Sequence, residues 1–471
     1  MRIDGIGRSA AALALSVPVG VAAEPEHTTA WFAIHAADGQ LIGRQHDYDV
    51  TLARGVRHIV ARELAFTVDG HPPTRMTTRI ERDEDADGQT RSYRIEQGGV
   101  STSIQIEPGA TMVKAVVTRT GARSRQHFVI NLPSGIRFED GPIAGEGRAF
   151  ERFDPVALVV ERVTFSPAGG ADARQVVRKG FDGESLRSIA LIDLDAAGQL
   201  QAVTQPMFGS RVTIRRVATP VPDAALSPKR TIPHESIAAP YRLGRAALAG
   251  RIRYRFGFGD ALRFDLPQTG DQRTAAATDG VQVDICADCG PGLSTAPDDL
   301  ARWTRPSAWL QADDAVFRAA ARDIAGRRMN DRNKIAALAV RARARLAVED
   351  FAGHVSALEA WQRRSGDCTE DAAVLATLAR AAGIPALVAN GLVYTPQRYH
   401  GVTNAFVPHS WTLAYADGAW RSFDMSVGGF DASHIALTVG EGDARSVTAA
   451  NQLAGVLLWQ SMAEVRSRAS R

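Results

Sequence analysis

The sequence predicts an α+β protein, in which an antiparallel β domain precedes a core where helices give way to strands. Three observations predict it. Across residues 24–218, short β-branched runs such as "STSIQIEPG", "MVKAVVTRTG" and "SRVTIRRVA" alternate apolar with polar residues, and "ADG", "VDG" and "DADG" punctuate them. Many short strands at that spacing make a sandwich or a half-barrel. After Trp309 the apolar spacing becomes three and four in "DDAVFRAAARDIAG", "NKIAALAVRARARL" and "VSALEAWQRR", which is the helical period. It returns to two in the last third of the chain, in "FVPHSWTLAYADGAWRSFDMS".

Composition sets the outer limits. A chain of 471 residues, 45% hydrophobic and 23% charged, can bury the cores of two or three domains. The net charge is only +3, and 55 basic residues are scattered among 52 acidic ones without a basic stripe. Nucleic acid is therefore not expected as a partner.

Taken in order, residues 1–23 read as a secretory signal peptide. "MRIDGIGR" carries Arg2 and Arg8, "SAAALALSVPVGV" is an apolar run too short to span a bilayer, and small residues precede Glu24. The expected location is periplasmic or secreted, with cleavage after about Ala23 and no membrane span in the mature chain. Within the β domain, "DEDADG" looks briefly like a calcium loop, but Arg94 stands where the twelfth-position glutamate is needed. It reads as a hairpin turn. Residues 219–245 hold Pro220, Pro222, Pro228, Pro233 and Pro240, an extended connector. Residues 246–300 return to strand spacing in "RIRYRFGFGD" and "VQVDIC", then reach Cys286 and Cys289 in "CADC". In an oxidising compartment that pair reads as a disulfide; Gly290-Pro291-Gly292 opposes the helix of a redox site, and no second ligand pair supports zinc. Residues 301–440 form the core, and 441–471, with the apolar-striped "AANQLAGVLLWQSMAEV", read as a helical tail docked on it. No cofactor motif is legible, and the sequence leaves the oligomeric state open.

The third cysteine, Cys368, is then left unpaired in "RRSGDCTEDAAVLATLARAAGIPALVANG". Asp367 and Glu370 form a D-x-x-E capping box, and Gly383 with Pro385 ends the helix. Cys368 is thus the first helical residue, where free N–H groups and the positive dipole end favour a thiolate and a developing oxyanion. The partner comes from the downstream hairpin. Asp417-Gly418 is a strong two-residue turn, and pairing Ala416 with Ala419 sets Trp411 opposite Asp424. His409 then shares a sheet face with Asp424 as its diagonal neighbour. Asp424 can orient the imidazole while the other ring nitrogen takes the thiol proton. His354, His400 and His434 also lie in the C-terminal region, but none shares that face with an Asp. Trp361 is a candidate wall of the cleft, and equally a helix-packing residue.

"GDCTEDAAVLATLARAAGIPALVANGLVY", "FVPHSWTLAYADGAWRSFDMSVGGF" and "SHIAL" resemble the transglutaminase-like superfamily, over Trp361 to Leu437 and more loosely from Trp309. The resemblance implies a papain-like fold and a Cys–His–Asp triad falling on Cys368, His409 and Asp424. One departure is Asp371, where many relatives carry His. The β half looks like the domain that precedes this core in exported bacterial relatives. Eukaryotic transglutaminases use calcium, but no calcium loop is legible here. The expected function is thiol acyl transfer at amide bonds of a protein or peptide substrate. Hydrolysis is slightly favoured over amine transfer, because no feature marks an amine channel. The competing reading is an exported scaffold whose β domain binds a partner and whose core is idle.

Overall fold

The computed structural model describes residues 26–68, 74–97, 100–109, 112–120, 125–138, 149–156, 158–168, 174–183, 185–207, 210–231, 237–258, 262–348, 355–396 and 403–465. The expected signal peptide lies outside them. The N-terminal half is a 15-stranded sheet, and its antiparallel strands mostly follow chain order. Its first strand, Glu26–Ala36, pairs with both the second, Leu41–Leu52, and the strand that ends the meander, Ser210–Val217. The sheet's two outer strands, Arg125–Pro133 and Ala149–Asp154, are tied together as well. Arg137, just past the former, donates to Glu151 O at 3.0 Å and accepts from Phe153 N–H at 2.8 Å. The result is barrel-like, with Ile34, Ile104, Val117, Leu132 and Phe153 buried. Closure removes the exposed edges that a half-barrel would leave. The expected turn is present: Asp85 O accepts from Gly88 N–H, and Asp85 Oδ1 accepts from Asp87 and Gln89 N–H.

The proline-rich connector ties the two halves together. Lys229–Thr231 adds in parallel to Gly55–Val68 of the barrel, and Ile237–Ala238 adds to Ala405–Ala416 of the core. The tail departs from expectation. Its helix, Ala444–Ala454, stops before Gly455, and Leu457–Glu464 is a strand paired with Ile252–Phe258. In that strand Trp459 packs edge-on against Tyr254 at 5.7 Å and Phe256 at 4.9 Å. This aromatic burial outweighs the helical stripe, because tertiary contacts decide the state of a short apolar run. The strand completes a four-stranded sheet with Gln272–Ala277 and Gly280–Ile285. Cys286 and Cys289, just past the last of these, are bonded.

The core centres on the helix Cys368–Ala381, buried from Ala372 to Arg380. Its alanines let the helices Ala315–Ala325, Asp331–Arg343 and Ala357–Arg363 approach on one side and the sheet on the other. In the sheet, Ala386–Thr395 lies between Ala405–Ala416 and Ile435–Gly440. No helix among the described residues is long and apolar enough to cross a membrane.

Candidate active site

Cys368 opens its helix as the sequence predicts. Asp367 Oδ1 accepts from Thr369 N–H at 2.8 Å, and Glu370 Oε2 accepts from Asp367 N–H at 3.0 Å. The cap takes the donors of Thr369 and Glu370 and leaves that of Cys368 outside it. Glu370 is fully buried, and its other oxygen accepts from Val355 N–H at 3.2 Å. Cys368 is half-buried and is the free cysteine among the described residues.

The hairpin has the expected register. Ala416 pairs with Ala419 and Thr412 with Phe423. Asp417 and Gly418 both take positive φ, 53° and 83°, as a turn matching the strand twist requires. His409 and Asp424 are both buried, and His409 Nε2–H donates to Asp424 Oδ2 at 2.6 Å. The other ring nitrogen, Nδ1, has no full hydrogen-bond partner among the described residues. The Cys368 thiol is beside the imidazole and acts on it by charge and by hydrogen bonding. Cys368, His409 and Asp424 therefore come together. Gly391 makes this possible. It pairs with His409 on one side and Ala436 on the other, and a Cβ there would sit 1.9 Å from Ile435 O.

The sequence did not reveal His434. It belongs to no hairpin strand, yet its Nε2–H donates to Asp424 Oδ2 at 2.9 Å. It lies off the hairpin, as expected, but reaches Asp424 from the residue just before strand Ile435–Gly440. Asp431 N–H lies 3.2 Å from His434 Nδ1, and Asp431 Oδ1 lies 3.1 Å from it. The one available signal was the short spacing of "DASHI", which lets Asp431 turn back on His434. Asp424 Oδ1 accepts from Ser426 N–H at 2.6 Å and Val427 N–H at 3.4 Å. One carboxylate thus receives four donors.

Burial alone would neutralise these groups; their mutual charges reverse that. Burial lowers the His409 pKa, but Asp424 and then Cys368 raise it well above the ordinary value. Burial would raise Asp424, but His409 and then His434 hold it well below the usual carboxylate range. His434 is raised too, against burial, by Asp424 and Asp431. The ligand atoms of His409, Asp424 and His434 lie within 4.8 Å of one another, a spacing that also suits a metal. Both N–O separations are hydrogen-bond lengths, so the protons already join the three groups. Asp371 lies at the rim, where Ser426 Oγ donates to it at 2.9 Å. Burial first, and the Asp424 charge, raise its carboxyl to about 6 against the Ser426 hydrogen bond.

Among the described residues Trp361 packs inward and lines no cleft. It is buried, 5.3 Å from the Phe317 ring, with the Arg345 guanidinium 4.6 Å over its face. It is a packing residue of the helix Ala357–Arg363.

Residues 318–425 match the model of the transglutaminase-like superfamily. No curated protein matches the sequence. Among solved structures, a cysteine protease candidate from Cytophaga hutchinsonii is 17% identical, over 49% of this chain and 87% of its own, with a TM-score of 0.27. A protease candidate from Parabacteroides distasonis is 12% identical, over 75% and 69%, with a TM-score of 0.21. A beta-barrel-like protein from Brucella abortus, carrying a domain of unknown function, is 15% identical, over 40% and 93%, with a TM-score of 0.27.

Proposed function

Given a transglutaminase-like domain at residues 318–425, we propose that this chain is an exported thiol enzyme acting at amide bonds of protein or peptide substrates. The observation that carries the reading is the buried His409–Asp424 pair set against a cysteine at a helix start. Cys368 sulfur attacks the amide carbonyl carbon, and the Cys368 N–H, which the cap does not take, is a donor for the developing oxyanion. The tetrahedral intermediate collapses as His409 Nδ1–H protonates the departing amine, leaving a thioester on Cys368. His409 then takes a proton from water, whose oxygen attacks the thioester and releases the acid and the thiol. Asp424 keeps the imidazole oriented and stabilises its charge.

Hydrolysis is the slightly favoured second half-reaction, because water needs no binding channel of its own. The Cys286–Cys289 bond supports an oxidising compartment and hence export. The scaffold alternative has less support, since an idle core has no need of a buried, charged pair at its cysteine. The test is a peptide library incubated with the enzyme, with and without a labelled primary amine, and read by mass. Cleavage products without amine incorporation are expected. Amine adducts at glutamine would make it a transferase, and neither product, with Cys368 unreactive until denaturation, would establish the scaffold.

A further inference from the structure

Asp371 stands one helical turn beyond Cys368 on the same helix. Residues at that spacing share a helix face, and the helical Cα–Cβ bond leans towards the N-terminus, so the carboxylate is carried back towards the sulfur. The hairpin side meets it there. Ser426 Oγ donates to Asp371 Oδ2 at 2.9 Å, while Ser426 N–H donates to Asp424 Oδ1 at 2.6 Å. One exposed serine thus links the rim carboxylate to the buried one. Asp371 is half-buried, and its Oδ1 accepts no hydrogen bond among the described residues.

No cation answers this carboxylate. Among the described residues Asp371 forms no ion pair, and the charges that act on it are those of Asp424, Asp367 and Glu370. The two imidazoles of the site are already matched: His409 faces Asp424 and the Cys368 sulfur, and His434 faces Asp424 and Asp431. Arg343 donates to Met425 O next to the site and forms no pair with Asp371. The fold therefore holds a partly buried negative charge without a counter-charge, a cost that a cation arriving with a ligand removes. His409 points to a ligand at the same place. Its Nδ1 is buried and has no full hydrogen-bond partner among the described residues, while Nε2 is taken by Asp424. An idle buried ring nitrogen beside the sulfur is where a reacting amide has a proton to receive.

We infer, on the thiol-enzyme reading of Cys368, that Asp371 selects substrates carrying a positive charge, a lysine or arginine side chain, beside the scissile amide. Helix neighbours at this spacing stand about 5–6 Å apart between Cβ atoms. The flexible stem of lysine or arginine covers that span, so the cation reaches Asp371 while the amide lies at the sulfur. An acidic side chain in the same position meets like charge and is rejected, and a neutral one gains nothing.

The experiment labels the full, unreduced chain at pH 8 with two methanethiosulfonates of matched size, one bearing a trimethylammonium and one a sulfonate. Each converts the Cys368 thiolate to a mixed disulfide and releases methanesulfinate. With Cys286 and Cys289 bonded, Cys368 is the thiol that reacts. The cationic-to-anionic rate ratio, divided by that of free mercaptoethanol, should be about tenfold or more, and Asp371→Asn should cut it roughly threefold, the scale of one unit charge at short range in a solvated site. The ratio is internal, so a general change in sulfur reactivity cancels. A normalised ratio near one, or one that Asp371→Asn leaves unmoved, would overturn the inference, and the native ratio decides even if the variant fails to fold. Peptides identical except for lysine, norleucine or glutamate beside the scissile amide separate this inference from the enzyme reading. Cleavage without preference for lysine sinks the inference and spares the enzyme, whereas cation-selective labelling with no peptide cleaved sinks the enzyme and upholds the cation preference at Asp371.

Discussion

Replacing Asp424 by asparagine removes the carboxylate charge that two buried imidazoles share, while hardly changing shape. In the native site Asp424 accepts from His409, His434, Ser426 and Val427. Breaking a buried pair by deleting one partner costs about 3–5 kcal/mol. Part of that loss depends on pH, and its sign is fixed. With Asp424 present the folded His409 pKa lies above the unfolded value, so its contribution is complete below about pH 6.5 and fades as pH rises through the folded value. With asparagine in its place only Cys368 is left to oppose burial, so the folded His409 pKa falls and the stability that Asp424 supplied at low pH is lost. An opposite charge in contact is worth roughly 1–3 pKa units, or about 1–4 kcal/mol. The asparagine variant should therefore lose that much more stability at pH 5.5 than at pH 8.5.

The assay is urea unfolding of both proteins at the two pH values, followed by the near-ultraviolet signal of Trp411, whose ring packs beside His409 and His434. Alkylation of Cys368 by iodoacetamide at pH 7 should also slow sharply in the variant. An equal loss at both pH values, with unchanged alkylation, would refute the reasoning. It would mean that Asp424 neither carries charge in the fold nor supports the imidazole.

The remaining expectations are narrower. His434→Phe removes one charge-assisted hydrogen bond to Asp424, worth about 1.5–3 kcal/mol, so Cys368 alkylation should slow by roughly 10- to 100-fold, and His434→Gln, which keeps an N–H donor, should restore most of the rate. Asp371→Asn should raise the melting temperature at pH 8. That gain should shrink as pH falls from about 6 towards 4, because the native carboxyl titrates at about 6 and its ionised form is the one burial disfavours. Mass spectrometry of the folded, unreduced chain should find Cys286 bonded to Cys289 and Cys368 free, and the double serine variant should lose about 2 kcal/mol, the value for so short a loop.

The parts of this molecule that were legible in the sequence are those fixed by local rules. The capping box at Asp367 and Glu370 placed Cys368, and the Asp417-Gly418 turn fixed the register that brings His409 to Asp424. A two-residue turn leaves no freedom to slip. Alternation also gave the antiparallel half, but not its closure. That depends on Arg137 meeting strand Ala149–Asp154 across an intervening stretch with no periodic signal. The tail strand was missed because "LLWQSMAE" satisfies a helical stripe as well as a strand, and only Tyr254 and Phe256, some two hundred residues away, decide between them. Trp361 was ambiguous because an aromatic at a helix end packs inward or walls a cleft with the same spacing.

His434 shows the deeper reason that site residues escape a linear reading. A hairpin brings together residues whose separation is set by one turn, whereas His434 meets Asp424 through strand Ile435–Gly440, which pairs with Ala386–Thr395 and not with the hairpin's second strand. Its place therefore depends on the stacking order of three strands and on Gly391, the residue small enough to let the outer two close on the middle one. At the far end of Ile435–Gly440, Gly440 pairs with Val388 and leaves room for Arg187 of the barrel. One strand thus steadies the carboxylate at its start and meets the barrel at its end.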